Sequence, residues 1–361
     1  MDAFQQFDDY GDLPDGLAVV PDRLELELRI STEVLDTEGG GLSGTRTLLY
    51  KHDDDLRQEM FAIQFFEVCN SLLKSSGLDL KLLTFRCIPV GARRGFIEWV
   101  PGSVPLSDIC QPFAGSILGS RTRKESDSTN SQLEEERNSL STPSRAGLMK
   151  FQSLRPSAKS HSKDRNLLLN NPIQDFLRSV AYDPDAPYLI RKEVMDNYVK
   201  SCAGYCVLTY ILGVGDRHLD NLLLHQTGHF FHCDFTFIFG KDPKRYLPVR
   251  ITEDMVFGMG GKGSDNYAKF VTLAGAAFVA LRRLESVRVI LSMVRLMSPS
   301  ALPDLSIHQN AEDVVLAVRD RLRLDLSDGQ AIDYMEELIE QSITSKMWIA
   351  VDAIHSLGKR F

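Results

Sequence analysis

Gly213-Val-Gly-Asp-Arg-His-Leu-Asp-Asn-Leu-Leu-Leu-His-Gln-Thr-Gly-His-Phe-Phe-His-Cys-Asp-Phe-Thr236 is the stretch on which the chain turns. A polar turn, Gly215 to Asn221, leads into the apolar run Leu222 to Leu224. A short turn at Gln226 to His229 follows, and a second apolar run (Phe230, Phe231, Cys233) ends on Asp234. Two apolar runs about a Gly-containing turn predict a β-hairpin. With Thr227-Gly228 as a two-residue loop, Asn221 faces Asp234. Thr-Gly is not the strongest two-residue turn pair, so a slip of one residue stays open. In either register an amide and a carboxylate converge at the open end of the hairpin, and Asp216 precedes the amide by five residues. That set suits a magnesium-phosphate site, because Mg²⁺ takes few protein ligands and keeps positions for phosphate oxygens.

The spacing Asp-x-x-x-x-Asn from Asp216 to Asn221, then a strand, then Asp234-Phe235, also follows the catalytic-loop pattern of phosphotransferases. Phosphoryl transfer is the predicted chemistry. Upstream, the periodicity of Met195, Tyr198, Val199, Cys202, Cys206 and Tyr210 predicts a helix over 192–212 that delivers the chain to Gly213. Downstream, Phe235 to Arg250 reads as a loop carrying Lys241, Lys244, Arg245 and Arg250. Basic residues beside a phosphate site are able to bind an anionic substrate. A plain solvated loop is the alternative.

The N-terminal part is β-rich. Leu24 to Ile30 alternates as a half-buried strand, and a turn at 36–44 leads to a second strand, 45–50, that ends on Lys51. Gly39, Gly41 and Gly44 satisfy G-x-G-x-x-G formally. Only one strand separates them from Lys51, however, so a hairpin turn is the better reading. Acidic residues at 53 to 55 suit the start of a helix carrying Met60, Ile63, Phe66, Val68, Leu72 and Leu73. Strands are predicted at 80–89 and 95–100, before Pro101-Gly102 breaks the chain. Residues 1–20 are acidic and Gly/Pro-punctuated, with poor order expected. Twelve serines crowd 116–162, and 116–168 reads as a disordered insertion. Helices are predicted at 267–283, 287–297, 311–322 and from about Asp328, the last with a Ser327/Gln330 capping box and an apolar stripe kept at helical spacing to Phe361.

Composition bounds the partners. Of 361 residues, 43% are hydrophobic and 25% charged, enough for a sizeable core, and the net charge of −8 argues against nucleic-acid binding. The six cysteines lie scattered in apolar segments without a metal-type Cys-x-x-Cys pair, which fits a reducing, intracellular setting. The acidic start lacks the features of a signal peptide, and no apolar run is long enough to span a bilayer. Membrane contact is expected to be peripheral.

Several motifs together are specific enough to carry a resemblance. Lys51-His-Asp-Asp-Asp-Leu-Arg-Gln58, Asp79-Leu-Lys-Leu82, Glu193 to Gly204, Gly213 to Leu224, Gly258-Met-Gly-Gly261 and Arg323-Leu-Asp-Leu-Ser-Asp328 are similar to the catalytic domain of phosphatidylinositol 3-kinases. The wording stands nearest to class III, the vacuolar-sorting and autophagy branch. The resemblance covers roughly 45–115 and 170–361.

It implies an α+β, bilobal, protein-kinase-like fold, with a small β-rich N-lobe (21–100), a hinge and start of the C-lobe (101–115), and a mostly helical C-lobe (169–361) ending in an amphipathic helix. It implies ATP with Mg²⁺, or Mn²⁺, and transfer of the γ-phosphate to the 3-hydroxyl of phosphatidylinositol. By motif, Lys51 resembles the ATP-phosphate lysine, with Asp54 and Glu59 as partner carboxylates. Glu98, Trp99 and Val100 resemble the hinge that holds adenine. Asp216, Arg217 and His218 form the catalytic motif, in which Asp216 or His218 takes the hydroxyl proton. Asn221 and Asp234 match the metal ligands. Lys241, Lys244, Arg245 and Arg250 match the loop that reads the headgroup. Regulatory kinase-like and autophagy subunits, and a cytoplasmic site on endosomal and autophagosomal membranes, follow from the resemblance alone.

The chain departs from the family pattern at specific places. Where Asp-Phe-Gly is usual it has Asp234-Phe235-Thr236, and a β-branched threonine resists backbone conformations that glycine tolerates. Ala18-Val-Val-Pro21 is the nearest match to the phosphate-covering loop and lacks its serine. The family's accessory lipid-binding and helical domains have no counterpart in these 361 residues. Two other readings therefore stand beside a lipid 3-kinase: a nucleotide-binding scaffold, and a 4-kinase or related protein kinase.

Overall fold

The computed structural model describes residues 18–19, 25–34, 42–52, 54–110, 171–242, 247–297, 300, 302, 311–345 and 348. The N-terminal segment, the serine-rich insertion, Lys244, Arg245 and the end of the C-terminal stripe (Ile354 to Phe361) lie outside these residues.

The first half builds an antiparallel sheet. β1 (Ala18–Val19), β2 (Glu25–Val34), β3 (Leu42–His52), β4 (Cys87–Gly91) and β5 (Arg94–Glu98) lie in the order β1-β2-β3-β5-β4. β2 and β3 pair from Glu25↔Lys51 to Val34↔Leu42, so the glycine-containing connection is a hairpin, as expected. Gly44, expected in the turn, lies inside β3 opposite Thr32.

α1 (Leu56–Ser75) crosses this sheet. Asp55 caps it, accepting the Arg57 amide at 3.2 Å. Its inner face buries Phe61, Phe65, Phe66, Cys69 and Leu73. Phe66 meets Tyr205 and Phe235 edge-on, with ring centroids 5.6 and 5.1 Å away.

The predicted strand 80–89 is corrected. Only Cys87–Gly91 pairs; Lys81 sits at φ 52° and the chain before β4 runs without a ladder. Packing is the reason. Leu80 and Leu82 lie on Gly204, where a Cβ would come within 2.6 Å of Leu82 Cδ2, and the Tyr205 hydroxyl donates to the Leu83 carbonyl at 2.5 Å. β5 likewise ends at Glu98, two residues before the expected Val100.

A second antiparallel sheet, β6-β7-β8, joins β6 (Ser103–Pro105) to the hairpin of β7 (Leu222–His225) and β8 (Phe230–His232). Its register is the slipped one. Leu222 faces His232 and Leu224 faces Phe230, while His225 N–H donates to the His229 carbonyl. The loop is therefore Gln226-Thr227-Gly228, with Gly228 at φ 87°, a three-residue turn closed by a left-handed glycine.

The remainder is helical. α2 (Leu106–Cys110), α3 (Pro172–Ala181) and α4 (Lys192–Leu212) come first. α4 has the predicted bounds and ends on Gly213 at φ 70°, the left-handed stop expected of glycine. Its buried residues fall on nearly every side, so it is the central pillar of this half. α5 (Glu253–Gly258), α6 (Asp265–Leu281), α7 (Leu284–Met297), α8 (Ala311–Arg321) and α9 (Asp328–Thr344) follow. Both halves of the Ser327/Gln330 capping box form. α9 does not carry the stripe onward unbroken, because Ser345 is extended (φ −78°, ψ 117°). Beyond it Trp348 is buried, with the Arg250 guanidinium 4.3 Å from its ring centroid. The fold is α+β and bilobal, a small sheet-rich part joined to a larger helical one.

Candidate active site

Asn221 and Asp234 occupy the open end of the β7–β8 hairpin. In the slipped register Asn221 faces Cys233, whose amide donates to the Asn221 carbonyl at 3.1 Å. Asp234 is the next residue, and it turns sharply into the left-handed region at φ 59°. Asp216 does the same at φ 48°. Such backbone costs non-glycine residues on the order of 1–2 kcal/mol and is least costly for Asp and Asn. Asn221 Nδ2 donates to the Asp216 carbonyl at 3.1 Å, which commits the donor end of the amide and leaves its oxygen for a cation.

Asp234 is held ionised. Burial alone would raise its pKa. The Lys51 ammonium, the Thr236 hydroxyl and Arg217 together outweigh that and hold it below the ordinary carboxylate value. Thr236 supplies two bonds to Asp234 Oδ1, from its hydroxyl at 2.6 Å and its amide at 3.2 Å.

Helix α1 grips the next backbone units. The Gln58 amide donates to the carbonyls of Phe235 (3.1 Å) and Thr236 (2.6 Å), and Glu59 Oε2 accepts the Phe235 amide at 2.6 Å. Glu59 is buried, and its Oε1 has no hydrogen-bond partner among the described residues. Burial first, then the Asp234 charge, push its pKa up to about 7 against the pull of Lys51. Lys51, on β3, reaches Asp54 Oδ2 at 3.4 Å. A strand lysine, a helix carboxylate and the Asp234 turn thus share one electrostatic neighbourhood.

The Asp216-Arg217-His218 turn divides its side chains by direction. His218 is buried between two carboxylates, with Nε2 3.7 Å from Asp216 and Nδ1 3.6 Å from Asp220. Asp220 in turn accepts the Ser107 hydroxyl at 2.5 Å. Asp216 is the more exposed of the pair. Arg217, expected among the catalytic residues, does not face the open site. It is 4% exposed and points inward, donating to the Gly215, Cys233 (3.3 Å) and Asp234 (2.5 Å) carbonyls and lying 5.6 Å from the Phe235 ring. It binds the polar turn to the hairpin's end.

Glu98 closes β5, three positions along the ladder from Lys51's partner Gly95, about 10 Å at strand rise. Trp99 N–H donates to Thr47 O at 2.9 Å, and the Val100 carbonyl accepts Ser103 N–H at 3.3 Å. The Val100 N–H has no partner among the described residues. These three residues join the two sheets. β1 pairs with β2, so the connection before the lysine-bearing pair starts just after Ala18-Val19; its own residues are outside those described. Lys241 is partly exposed. Arg250, expected to read a headgroup, is instead 2% exposed and stacked on Trp348.

Two residues were missed from the sequence. Gln58 adjoins Glu59 and carried a signal in its motif, but only the tertiary structure shows what it holds. Asp242, whose Oδ2 accepts the Asp216 amide at 2.7 Å, carried none. Among the described residues no group of three or more His, Cys, Asp or Glu stands ready for a metal, so a cation here relies on one amide, one carboxylate and phosphate oxygens. No helix among them is long and apolar enough to cross a membrane.

Comparison with known proteins agrees. The family model for phosphatidylinositol 3- and 4-kinase matches residues 46–307. The phosphatidylinositol 3-kinase pik3 of Schizosaccharomyces pombe is 36% identical over 315 residues, 86% of this chain and 32% of that protein. The phosphatidylinositol 3-kinase VPS34 of Saccharomyces cerevisiae is 34% identical over 313 residues, covering 86% of this chain and 29% of its own length. The Arabidopsis thaliana VPS34 is 31% identical over 313 residues, with 86% and 31% covered. The chain spans about a third of the length of these relatives.

Proposed function

The chain belongs to the phosphatidylinositol 3- and 4-kinase family, and from that premise we propose that it transfers the γ-phosphate of ATP to the 3-hydroxyl of phosphatidylinositol. The observation that carries this reading is the meeting of Lys51, Glu59, Asn221, Asp234, Asp216 and His218 about one hairpin end.

In this reading the strand lysine, Lys51, holds the ATP phosphates, with Asp54 and Glu59 placing its ammonium. Glu98, Trp99 and Val100 hold adenine, the free Val100 N–H being a suitable donor. Asn221 and the ionised Asp234 hold Mg²⁺, or Mn²⁺, which supplies charge neutralisation between the phosphates when bound. Asp216, the more exposed carboxylate, takes the hydroxyl proton, and His218 beside it stabilises the charge that develops. Arg217 positions Asp234 through its backbone rather than touching substrate. Lys241 and the further basic residues of its loop, Lys244 and Arg245, read the lipid headgroup in this proposal. Residues 21–100 form the N-lobe and 169–361 the C-lobe of the same proposal. Roles in endosomal sorting and autophagy, peripheral membrane attachment and regulatory kinase-like subunits rest on the sequence resemblance.

The test is ATP-dependent labelling of phosphatidylinositol vesicles with the labelled position mapped. Product at the 3-hydroxyl is expected; label only at the 4-hydroxyl, or only on peptides, overturns the reading. One observation favours a second reading, a nucleotide-binding scaffold: the Thr236 hydroxyl already occupies an acceptor position of Asp234. Magnesium-dependent ATP binding with no turnover, unrestored by Thr236→Gly, is its signature.

A further inference from the structure

The Asp216 turn also lines a cavity of about 230 Å³, most of whose walls the site as described leaves unused. Its walls come from the stop of α4 (Gly213 to Asp216), the chain after Asp234 (Gly240, Asp242, Pro248), Trp348, and Arg321 at the end of α8.

Arg321 is the unusual member. Among the described residues no carboxylate lies within ion-pair distance of it, and its one hydrogen bond there runs from Nη1 to the Ala317 carbonyl at 3.2 Å. Its guanidinium has two glycines for a seat. A Cβ at Gly213 would come within 2.6 Å of Cζ, and one at Gly240 would collide with Nη2. Both glycines have left-handed backbones, φ 70° and 78°, and the Gly240 amide donates to the Gly213 carbonyl at 2.7 Å. The backbone is therefore pinched together and bare of side chains where the guanidinium lies. A guanidinium presents five donors in a planar fork matched to phosphate, and burying it without a carboxylate is costly. Asp216 and Asp242 line the same cavity, and carboxylates accept hydrogen bonds from hydroxyls. A cation with donors to spare and two carboxylates lining one cavity fit a molecule that joins a phosphate ester to a polyol.

We propose that this cavity receives an inositol phosphate ester, the headgroup of the lipid substrate, with Arg321 taking its phosphate and the two carboxylates its ring hydroxyls. The assignment rests on the lipid-kinase reading above and names a specificity residue for it, on a helix far in sequence from the basic loop. Arg321 is thus placed to set which headgroup enters.

The test uses the full chain in two arms. In the first, glycerophosphoinositol and inorganic phosphate are titrated against wild type and Arg321→Gln by calorimetry, which reads the cavity without turnover. Wild type should bind glycerophosphoinositol, phosphate should bind at least about tenfold more weakly, and Arg321→Gln should lose about tenfold, the worth of one charge-assisted hydrogen bond. In the second, KM for phosphatidylinositol vesicles should rise by about the same factor while kcat changes less, and Arg321→Lys should recover part of the loss. Melting curves establish that each variant folds, and Gly240→Ala, which displaces the guanidinium without removing it, should reproduce the effect. Equal affinity of wild type and folded Arg321→Gln for glycerophosphoinositol overturns the proposal, as does inorganic phosphate binding as tightly as the ester. Wild type that binds glycerophosphoinositol but labels no lipid overturns the kinase reading and leaves the cavity assignment intact.

Discussion

The Thr236 hydroxyl donates to Asp234 Oδ1 at 2.6 Å, and the Thr236 amide reaches the same oxygen at 3.2 Å. Where the Asp-Phe-Gly motif it resembles ends in glycine, this chain has a residue that clasps the carboxylate two positions before it. The clasp helps to hold the Asp234 pKa low and fixes its orientation. Thr236→Val keeps the shape and removes one bond worth about 1 kcal/mol, so half-saturation by Mg²⁺ should rise about fivefold. Thr236→Ser should stay near wild type. Turnover titrated against Mg²⁺ reads both.

Asp234→Asn keeps a side chain that tolerates φ 59° while removing the charge. Turnover should fall at least about a hundredfold, since a metal at this site supplies several kcal/mol of charge stabilisation. ATP affinity measured without metal should change little. A variant retaining more than a tenth of wild-type kcat would show that Asp234 is not the ligand.

Gln58 holds the Phe235 and Thr236 carbonyls from α1, and Phe235 is fully buried. Gln58→Ala leaves these acceptors unpaired, at about 1–3 kcal/mol for a buried polar group. Urea denaturation should show a loss of about 2 kcal/mol, together with a higher Mg²⁺ requirement as the Asp234 turn loosens.

Glu59 makes stability depend on pH. In the folded, metal-free protein it keeps its proton up to about pH 7, while the unfolded chain releases it near 4.5. Unfolding between these values therefore releases a proton, and stability falls as pH rises through that window. The ceiling is about 3 kcal/mol at about 1.4 kcal/mol per pH unit. Glu59→Gln should be the more stable protein at pH 8 by up to that amount, with the gap closing toward pH 4.5. Urea midpoints at several pH values measure it.

Gly228 sets the hairpin register. At φ 87° a side chain is strained, and a Cβ would strike the Val194 carbonyl of α4. Gly228→Ala should cost about 2 kcal/mol or more, read as a lower melting temperature.

Much of this protein was already determined by local sequence. The bounds of α4, its stop at Gly213, the capping box of α9, a strand carrying Lys51 near its end and the hairpin all follow from periodicity and capping, which act within a few residues. The cluster of Lys51, Asp216, His218, Asn221 and Asp234 was legible as motif and spacing. Direction and register were not. The one-residue slip came from Gly228 against α4, a contact between residues 34 positions apart. Leu80 to Arg86 looked like a strand because alternation is local, yet packing on Gly204 removed its ladder. Arg217 read as part of the catalytic motif and Arg250 as a headgroup cation, and only the assembled core turned one onto backbone carbonyls and stacked the other on Trp348. Arg321 carried no local sign at all: its meaning lies in two distant glycines that leave room for its charge. Short-range rules fix which elements form and which residues bear chemistry. Which way a long charged side chain points depends on what burial leaves open, and that only the folded chain decides.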